Sequence, residues 1–441
     1  MGCWYAACRF ILEEPLEVHA ANKKFRPMKQ RSIHLKTAFL SVLSALILLP
    51  PSCHRAQAQE SLLKDAYGDQ FYMGAALNRW QFSGRDTLSA GLVKKHFNSI
   101  SPVNSMKWER IHPEPGKYNF GPADRFVAFG EENGMHIVAH TLVWHSQVPG
   151  WVFRDREGNL VSRDTLLHRM RDHIHTVVGR YRGKIDCWDV VNEAVADDGA
   201  MRNSLWYRII GEDFVEKAFT YAREADPDAT LIYNDHSLPN PDKRDGVLRL
   251  ARKLQSAGIR VDGIGLQGHY HLDDPDIGDL EASIDSFASL GVKVMITELD
   301  VSVLPWPSMP AVGADVNRRF EVSDEMNPYP GGLPDSVQSA LADRYGALFS
   351  LFSEHGGQIE RVTFWGVHDG TSWKNHWPIP GRTDYPLLFD REGNPKPAFD
   401  AVIRSASESN RIRNPSPLSP PGYSPPHTGE EPDRTVSFRS W

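Results

Sequence analysis

The chain contains 441 residues, of which 41% are hydrophobic and 24% are charged, and its formal net charge at pH 7 is −7. This composition is ordinary for a soluble globular protein with a sizeable hydrophobic core. Because the charge balance leaves no broad basic surface, nucleic acids and anionic membrane surfaces are poor candidates as partners.

The beginning of the chain has the pattern of a secretion signal. A positively charged segment precedes the apolar run 38–49, and the small-x-small sequence at 56–58 matches a cleavage site. The apolar run covers only about a dozen residues, which is too short to cross a bilayer comfortably. We therefore predict that 1–58 is an N-terminal extension with a signal peptide, and that the mature protein is secreted or periplasmic without an integral membrane segment.

The start of translation and a lipid anchor are two open points in this region. Positive residues begin shortly after Met28, so we predict Met28 as the true start. Cys53 is a possible lipid-anchor site, but the prolines at 50–51 are a poor context for lipoprotein processing, and the anchor is the less favoured reading. After cleavage at Ala58 only Cys187 remains, so we expect no disulfide and no thiolate metal cluster.

Strand-like and helix-like segments alternate through the rest of the chain. The predicted strands are 71–77, 99–104, 136–143, 185–193, 230–235, 263–269, 293–300 and 361–368. The predicted helices are 87–97, 122–133, 164–181, 205–225, 242–257, 279–290, 336–355 and 397–404. Eight such repeats predict one (β/α)8 TIM barrel over 61–405, a single catalytic domain. A doubly wound open sheet is the alternative, but no Gly-x-Gly-x-x-Gly follows the first strand.

Two other segments stand out by composition. The stretch 408–441 is rich in proline and serine, which predicts a disordered tail. The stretch 302–334 follows the seventh strand and is long and rich in Pro and Gly, which predicts a loop that overhangs the mouth of the barrel.

Two glutamates close predicted strands, Glu193 at the fourth and Glu298 at the seventh. Burial at such a position can raise the pKa of a carboxyl group enough for it to hold a proton near neutrality. One strand-end glutamate is equally well explained by a structural salt bridge. Two of them at the same end of a barrel favour the paired carboxylate chemistry of glycoside hydrolysis, whose stereochemistry depends on their separation.

Further polar and aromatic residues fall at the same strand ends, as a sugar-binding site requires, because indoles stack on sugar rings while amides and carboxylates bind hydroxyls. They are Asn78, Trp80, Asn104, Lys107, His140, Trp144, His145, Asn192, Asn234, Asp235, Gln267, His269, Asp300, Trp365, His368 and Trp373. Trp144, Trp365 and Trp373 are predicted to stack on sugar. Trp108, Trp151, Trp188 and Trp206 are predicted to pack in the core.

The histidines leave a metal site as an alternative. His140 with His145, and His269 with His271, could be joined by Asp235 or Asp300 as ligands. There is no His-Glu-x-x-His sequence, and a histidine between two carboxylates more simply orients them. We favour His269 as the group that keeps Glu298 ionised.

Several ordered motifs carry a resemblance to a known family. They are Met106-Lys107-Trp108-Glu109, 140–149 (HTLVWHSQVP), 188–193 (WDVVNE), 233–235 (YND), 265–269 (GLQGH), 296–300 (ITELD) and 364–369 (FWGVHD). Over roughly 62–405 the chain resembles the family-10 glycoside hydrolases, the endo-β-1,4-xylanases.

The resemblance implies an endo-acting, retaining hydrolysis of xylan and xylo-oligosaccharides by a monomer without cofactor or metal. It implies Glu193 as general acid/base and Glu298 as nucleophile. The implied sugar contacts are Asn192 at the 2-hydroxyl, His140 and Trp144 at the subsite on the non-reducing side of the cut, Asn104 and Lys107 one subsite further out, Gln267 beside the nucleophile, and Trp365 and Trp373 over the sugar. His269 and Asp300 are implied to support the nucleophile.

The chain departs from the family pattern at Val103, where a glutamate is usual, at 236–237, where His-Ser replaces Tyr-Asn, and in the long loop 302–334. These changes affect the expected subsite affinities and not the reaction. Two other functions stay open at this point: a β-1,4-glucanase, and a carbohydrate-binding barrel without activity.

Overall fold

A computed structural model of the protein describes residues 61–306 and 320–413. The predicted signal peptide, the lipid-anchor position Cys53 and residues 414–441 of the predicted tail lie outside the described residues. In the described part, no helix is both long enough and apolar enough to cross a membrane.

Eight of the nine parallel strands of the described residues close into a barrel. The strands are β1 Tyr72–Leu77, β2 Ser99–Pro102, β3 His136–Ala139, β4 Cys187–Asn192, β5 Thr230–Asp235, β6 Gly263–Leu266, β7 His269–His271, β8 Lys293–Ser302 and β9 Ile359–Phe364. Each strand from β1 to β6 pairs with the next one, and the ring closes because β6 pairs with β8, β8 with β9 and β9 with β1. The short β7 lies outside this ring and pairs with the end of β8. The closed ring confirms the (β/α)8 prediction and excludes the open sheet.

Helices cover the outside of the ring. They are α1 Leu63–Ala66, α2 Arg79–Phe82, α3 Thr87–His96, α4 Trp108–Ile111, α5 Gly121–Glu132, α6 Arg163–Arg180, α7 Leu205–Ile210, α8 Phe214–Ala225, α9 Pro241–Ser256, α10 Ile277–Ala288, α11 Asp335–Glu354 and α12 Pro397–Arg413. Because the helices bury the outer face and side chains fill the inner one, strands such as β4 are buried at every position. Continuous apolar runs in the sequence have this physical origin.

Three predicted elements differ from the observed ones. The predicted helix 205–225 is two helices, because the chain turns at Gly211 with φ 97°, which glycine adopts without strain. The predicted strand 263–269 is interrupted after Leu266. The last helix runs to Arg413 rather than 404, so that 408–413 is helical and not part of a disordered tail. No proline stands between Pro397 and Pro415, and nothing in the sequence breaks the helix earlier.

Several strands also end before the predicted position. β2 ends at Pro102, β3 at Ala139 and β9 at Phe364, each followed by the polar or aromatic residues that the sequence placed inside the strand. The shortening matters for function, because those side chains lie in loops above the carboxyl ends of the strands. This is the face where (β/α)8 barrels carry their active sites.

Candidate active site

The two glutamates lie at the same mouth of the barrel and both are buried. Glu298 is inside β8, and Glu193 follows the last residue of β4; each is 5% exposed. As predicted, they belong to the fourth and seventh strands of the closed ring.

A chain of amide groups connects the two carboxylates. Gln267 Nε2 donates to Glu193 Oε1 at 2.8 Å, and Asn234 Nδ2 donates to Glu298 Oε1 at 2.9 Å. The Asn192 amide lies between them, within 3.1 Å of Asn234 Nδ2 and 3.2 Å of Gln267 Nε2. Both carboxylates therefore point into one cleft.

Glu298 is held by a charged relay on its second oxygen. His269 Nε2 lies 3.3 Å from Glu298 Oε2, and His269 Nδ1 lies 3.1 Å from Asp300 Oδ1. Trp373 Nε1 donates to the other oxygen of Asp300 at 2.7 Å. His269 therefore lies between two carboxylates, one beside each ring nitrogen. Support of Glu298 by His269 and Asp300 stays a prediction.

The electrostatics of this relay keep Glu298 ionised. Burial lowers the pKa of His269, but the charge of Asp300 and the hydrogen bonds to Asp300 and Glu298 outweigh it and raise the pKa to about 9. Burial also raises the pKa of Glu298, yet the His269 hydrogen bond and the charges of His140, His269 and Lys107 bring it below its ordinary value. An ionised carboxylate is the form that can attack an anomeric carbon.

Glu193 is surrounded differently. Trp144 Nε1 donates to Glu193 Oε2 at 2.9 Å, and His145 Nδ1 lies 3.9 Å from the same oxygen. Its backbone has φ 58°, a left-handed conformation that is costly for a residue with a side chain.

The sequence predicted that burial raises the pKa of Glu193, but the structure gives a lowered pKa. Burial does raise the pKa of this carboxyl group, but the charges of His236, His145 and Arg202 and the hydrogen bond from Gln267 lower it to about 2. The lowering by His236 requires a protonated His236, whose own pKa is lowered by burial and by Lys243. When His236 is neutral, its charge no longer lowers the pKa of Glu193, and only His145 and Arg202 among these three groups still do.

Lys107 and Asn104 lie together above β2, as predicted. Lys107 Nζ donates to Asn104 Oδ1 at 3.1 Å and to Gln147 Oε1 at 2.9 Å, and lies 4.9 Å from the ring centre of Trp144. Burial lowers the pKa of Lys107 to about 8, against the opposing charges of Glu298 and Glu193. This group supplies a buried cation beside both carboxylates.

The predicted stacking tryptophans have different exposure. Trp365 is buried and packs edge-to-face on His140 with ring centres 5.4 Å apart, whereas Trp373 is partly exposed. Trp144 is also buried, at 6% exposure, and its N–H is committed to Glu193. Trp373 therefore offers the more accessible indole of the three, and sugar stacking by all three stays a prediction.

The described ends of the long loop reach the same wall of the cleft. Trp306 lies 5.5 Å from Trp377, which stacks on Trp373 at 4.8 Å between ring centres. Residues 307–319 of this loop lie outside the described residues. Among the tryptophans predicted to be core, Trp108, Trp188 and Trp206 are buried, whereas Trp151 is partly exposed.

Some strand-end residues have structural roles instead. Asn78 caps α2, and His368 accepts from the backbone N–H of Gly370. Asp235 is fully buried and paired with Lys243 Nζ at 3.0 Å. Among the described residues, the partners of the Asp235 carboxylate are Tyr233, His236 and Lys243, and not the two cleft carboxylates.

The histidines considered as metal ligands are not brought to one point. Within 61–306 and 320–413, the group of three possible ligands that meet within 4.8 Å is Glu281, Asp285 and His355, on the outer helices. His140 instead pairs with Asp189, Nδ1 to Oδ2 at 2.8 Å.

Sequence reasoning missed three residues of the cleft in their observed roles. Asn234 was recognised only as a strand-end amide, but it binds Glu298; its position at a strand end was the available signal. A Cβ at Gly265 would lie 2.4 Å from Asn234 Oδ1, so glycine makes room for this amide. Asp189, inside β4, and Gln147, in a left-handed turn, have no signal in the sequence that separates them from packing residues.

Two buried carboxylates joined by amides at the carboxyl end of a (β/α)8 barrel, beside accessible indole, define a glycoside hydrolase. The model of glycosyl hydrolase family 10 matches residues 62–405, and the chain belongs to that family.

Curated relatives and solved structures agree with the assignment. The chain is 44% identical over 358 residues to endo-1,4-beta-xylanase A of Xylanibacter ruminicola. This match covers 81% of this chain and 96% of that protein. It is 43% identical over 344 residues to a beta-1,4-xylanase of Dictyoglomus thermophilum, and the match covers 78% of this chain and 90% of that protein. A family-10 endoxylanase structure from a sugarcane soil metagenome superposes with a TM-score of 0.74 at 43% identity, covering 79% of this chain and all of that one.

Proposed function

We propose that the protein is an endo-β-1,4-xylanase that cleaves internal xylosidic bonds with retention of configuration, with Glu298 as nucleophile and Glu193 as general acid/base. The single observation that carries the proposal is the asymmetric environment of two carboxylates in one cleft. Glu298 is bonded to a histidine that bears charge at neutral pH, while the donors to Glu193 include the neutral N–H groups of Trp144 and Gln267.

In the first half of the reaction, Glu298 attacks the anomeric carbon while Glu193 gives a proton to the leaving oxygen. The relay from Asp300 through His269 holds Glu298 as an anion ready to attack. The proton on Glu193 depends on its surroundings. Displacement of water by the bound sugar and a neutral His236 both favour the protonated form.

In the second half, Glu193 removes a proton from water, which attacks the xylosyl ester on Glu298 from the opposite face. Loss of the negative charge of Glu298 in the ester and departure of the leaving group make Glu193 a base at this stage. Lys107 and Asn104 lie on the side of the cleft that the family resemblance assigns to the glycone. Xylan is the proposed substrate because the relatives at 42–44% identity are named xylanases.

The stereochemistry and the substrate are tested together by NMR of the products. Soluble xylan and soluble cellulose are digested in separate tubes, and the anomeric proton signals are recorded in the first minutes. We expect β-anomers to appear first from xylan, with much less reducing sugar from cellulose. Initial α-anomers contradict the double displacement, and faster release from cellulose makes the protein a glucanase.

The role of Glu193 is tested by Glu193→Ala. We expect this variant to lose roughly 10²- to 10⁴-fold in kcat/KM on xylobiosides with poor leaving groups, and far less on a dinitrophenyl xylobioside, which needs little protonation. Azide should restore turnover of the dinitrophenyl substrate and produce the β-xylobiosyl azide, because azide attacks the enzyme ester without a base. Equal losses on both substrates, or no response to azide, contradict the assignment.

We also propose export of the protein, on the sequence of 1–58 alone. N-terminal sequencing of the protein recovered outside the cytoplasm should begin at Gln59. An N-terminus at or before Met28 contradicts the signal peptide, and a lipid on Cys53 favours the anchored alternative.

A further inference from the structure

The backbone at the proposed acid/base is held from both sides by groups outside the cleft. Glu193 has a left-handed backbone, and the two following peptide N–H groups, of Ala194 and Val195, point to one oxygen, the hydroxyl of Tyr233. The distances are 2.9 and 3.1 Å, and Tyr233 is 1% exposed. On the other side, Arg202 Nε donates to the Glu193 carbonyl at 2.8 Å.

Tyr233 uses its full hydrogen-bonding capacity. A phenol has one proton and two acceptor sites. The proton goes to Asp235 Oδ2 at 2.5 Å, and the two acceptor sites receive the N–H groups of Ala194 and Val195. Burial and the charge of Asp235 raise the pKa of Tyr233 well above its ordinary value, so the hydroxyl keeps its proton.

Asp235 is in turn fixed by a buried cation. Lys243 Nζ, at the start of α9, lies 3.0 Å from Asp235 Oδ1 and 3.0 Å from Asp197 Oδ1. Lys243 and Asp235 are both fully buried, and the backbone N–H of His236 also donates to Asp235 at 2.9 Å. A buried ion pair of this kind is costly to displace, so it is a stiff support for Tyr233.

We propose that Tyr233, held by Asp235 and Lys243, is a positioning residue that sets the reach of Glu193 toward the leaving-group oxygen and the attacking water. The inference rests on the proposed function of Glu193. It gives a role to the strand-end carboxylate Asp235, which the reaction itself does not use. Both steps that involve Glu193 depend on this support, whereas attack by Glu298 does not.

The test is Tyr233→Phe, which removes one oxygen and leaves two buried N–H groups without their acceptor. We expect kcat on a xylobioside with a poor leaving group to fall roughly ten- to hundredfold with KM little changed, because small misplacements of a catalytic group have effects of this size. Breakdown of the xylosyl enzyme should become slow with the dinitrophenyl substrate. A burst of dinitrophenolate followed by a slower steady state should then reveal the accumulated glycosyl enzyme on Glu298.

Both readouts are independent of the amount of folded protein. The ratio of rates on the two substrates and the ratio of burst rate to steady-state rate refer to the same sample, so partial unfolding cancels. The matched control is Tyr67→Phe: Tyr67 is also fully buried, its hydroxyl donates to the Val402 carbonyl at 2.6 Å, and it lies on the opposite, α1 and α12 side. This control should show neither a changed substrate ratio nor a changed burst.

A second variant, Asp235→Asn, removes the charge but preserves the shape, and should give the same two signatures in weaker form. Unchanged substrate ratios and no burst in Tyr233→Phe overturn the inference, provided that Glu193→Ala responds to azide. Absence of an azide response in Glu193→Ala itself is a failure of the proposed function and not of the positioning role.

Discussion

The two halves of the cleft hold their carboxylates in opposite ways. Glu298 lies inside β8, where the register with β9 shifts between Ile296 and Leu299, and its oxygens are bound by the side chains of Asn234 from β5 and His269 from β7. Glu193 lies beyond the end of β4 in left-handed backbone, and Tyr233 and Arg202 bind its main chain and that of the next residues.

In the proposed mechanism, this difference matches what each group has to do with a proton. A nucleophile stays ionised until it attacks, so a direct contact with a charged histidine is favourable throughout. A group that gains and loses a proton in each cycle is poorly served by a charge bonded to its oxygens, because one protonation state is then disfavoured. Around Glu193 the charges of His236, His145 and Arg202 lower the pKa to about 2, and a neutral His236 removes the first of them. Rigidity at Glu193 comes through the backbone, and its oxygens are left to the neutral N–H groups of Trp144 and Gln267.

The largest effect is expected for Glu298→Ala, which removes the proposed nucleophile. Turnover of xylan should fall at least roughly 10⁴-fold, because no other carboxylate can form the ester. Thermal unfolding should show that the variant is folded, since a buried anion is replaced by a small apolar group. Loss of folding together with activity, or retention of activity, is inconsistent with the nucleophile role.

A smaller effect is expected for His269→Asn, which keeps a donor but removes the charge from the relay. Without the lowering by His269, burial raises the pKa of Glu298, so protonation of the nucleophile begins at higher pH as the pH falls. The acid limb of kcat/KM should therefore move upward, and activity on the acidic side should drop by roughly ten- to hundredfold, the worth of a charge-assisted hydrogen bond of about 1.5–3 kcal/mol.

The measurement for His269→Asn is a pH profile with the dinitrophenyl substrate, which isolates attack from leaving-group protonation. Tyr233→Phe, in the other half, should leave the acid limb in place. An acid limb that moves in Tyr233→Phe and stays in His269→Asn reverses the contrast between the two halves.

The smallest effect is expected for Thr297→Val. The Thr297 hydroxyl donates to Asn234 Oδ1 at 2.7 Å and thereby orients the amide that binds Glu298. Loss of one such bond, about 1 kcal/mol, should reduce kcat/KM roughly fivefold without azide acceleration. Thr363→Val is the matched control, because the buried Thr363 hydroxyl has no hydrogen-bond partner among the described residues. A larger loss in the control than in Thr297→Val contradicts the orienting role.

The sequence was sufficient for the architecture and for the two glutamates. Alternating apolar and amphipathic segments predict the closed ring of strands, because each strand must be buried on both faces and each helix on one. Since parallel strands all place their carboxyl ends at the same mouth, residues as distant in the chain as Glu193 and Glu298 could be assigned to one site. The same rule located Gln267, His269 and Asp300.

Only the tertiary structure decided how these groups are held and charged. Local sequence contains no sign that Tyr233 receives the two peptide N–H groups after Glu193, or that Lys243 comes from the next helix to neutralise Asp235. The pKa of Glu193 was likewise beyond the sequence, because burial and the charges around it act in opposite directions. Their balance depends on distances between residues far apart along the chain.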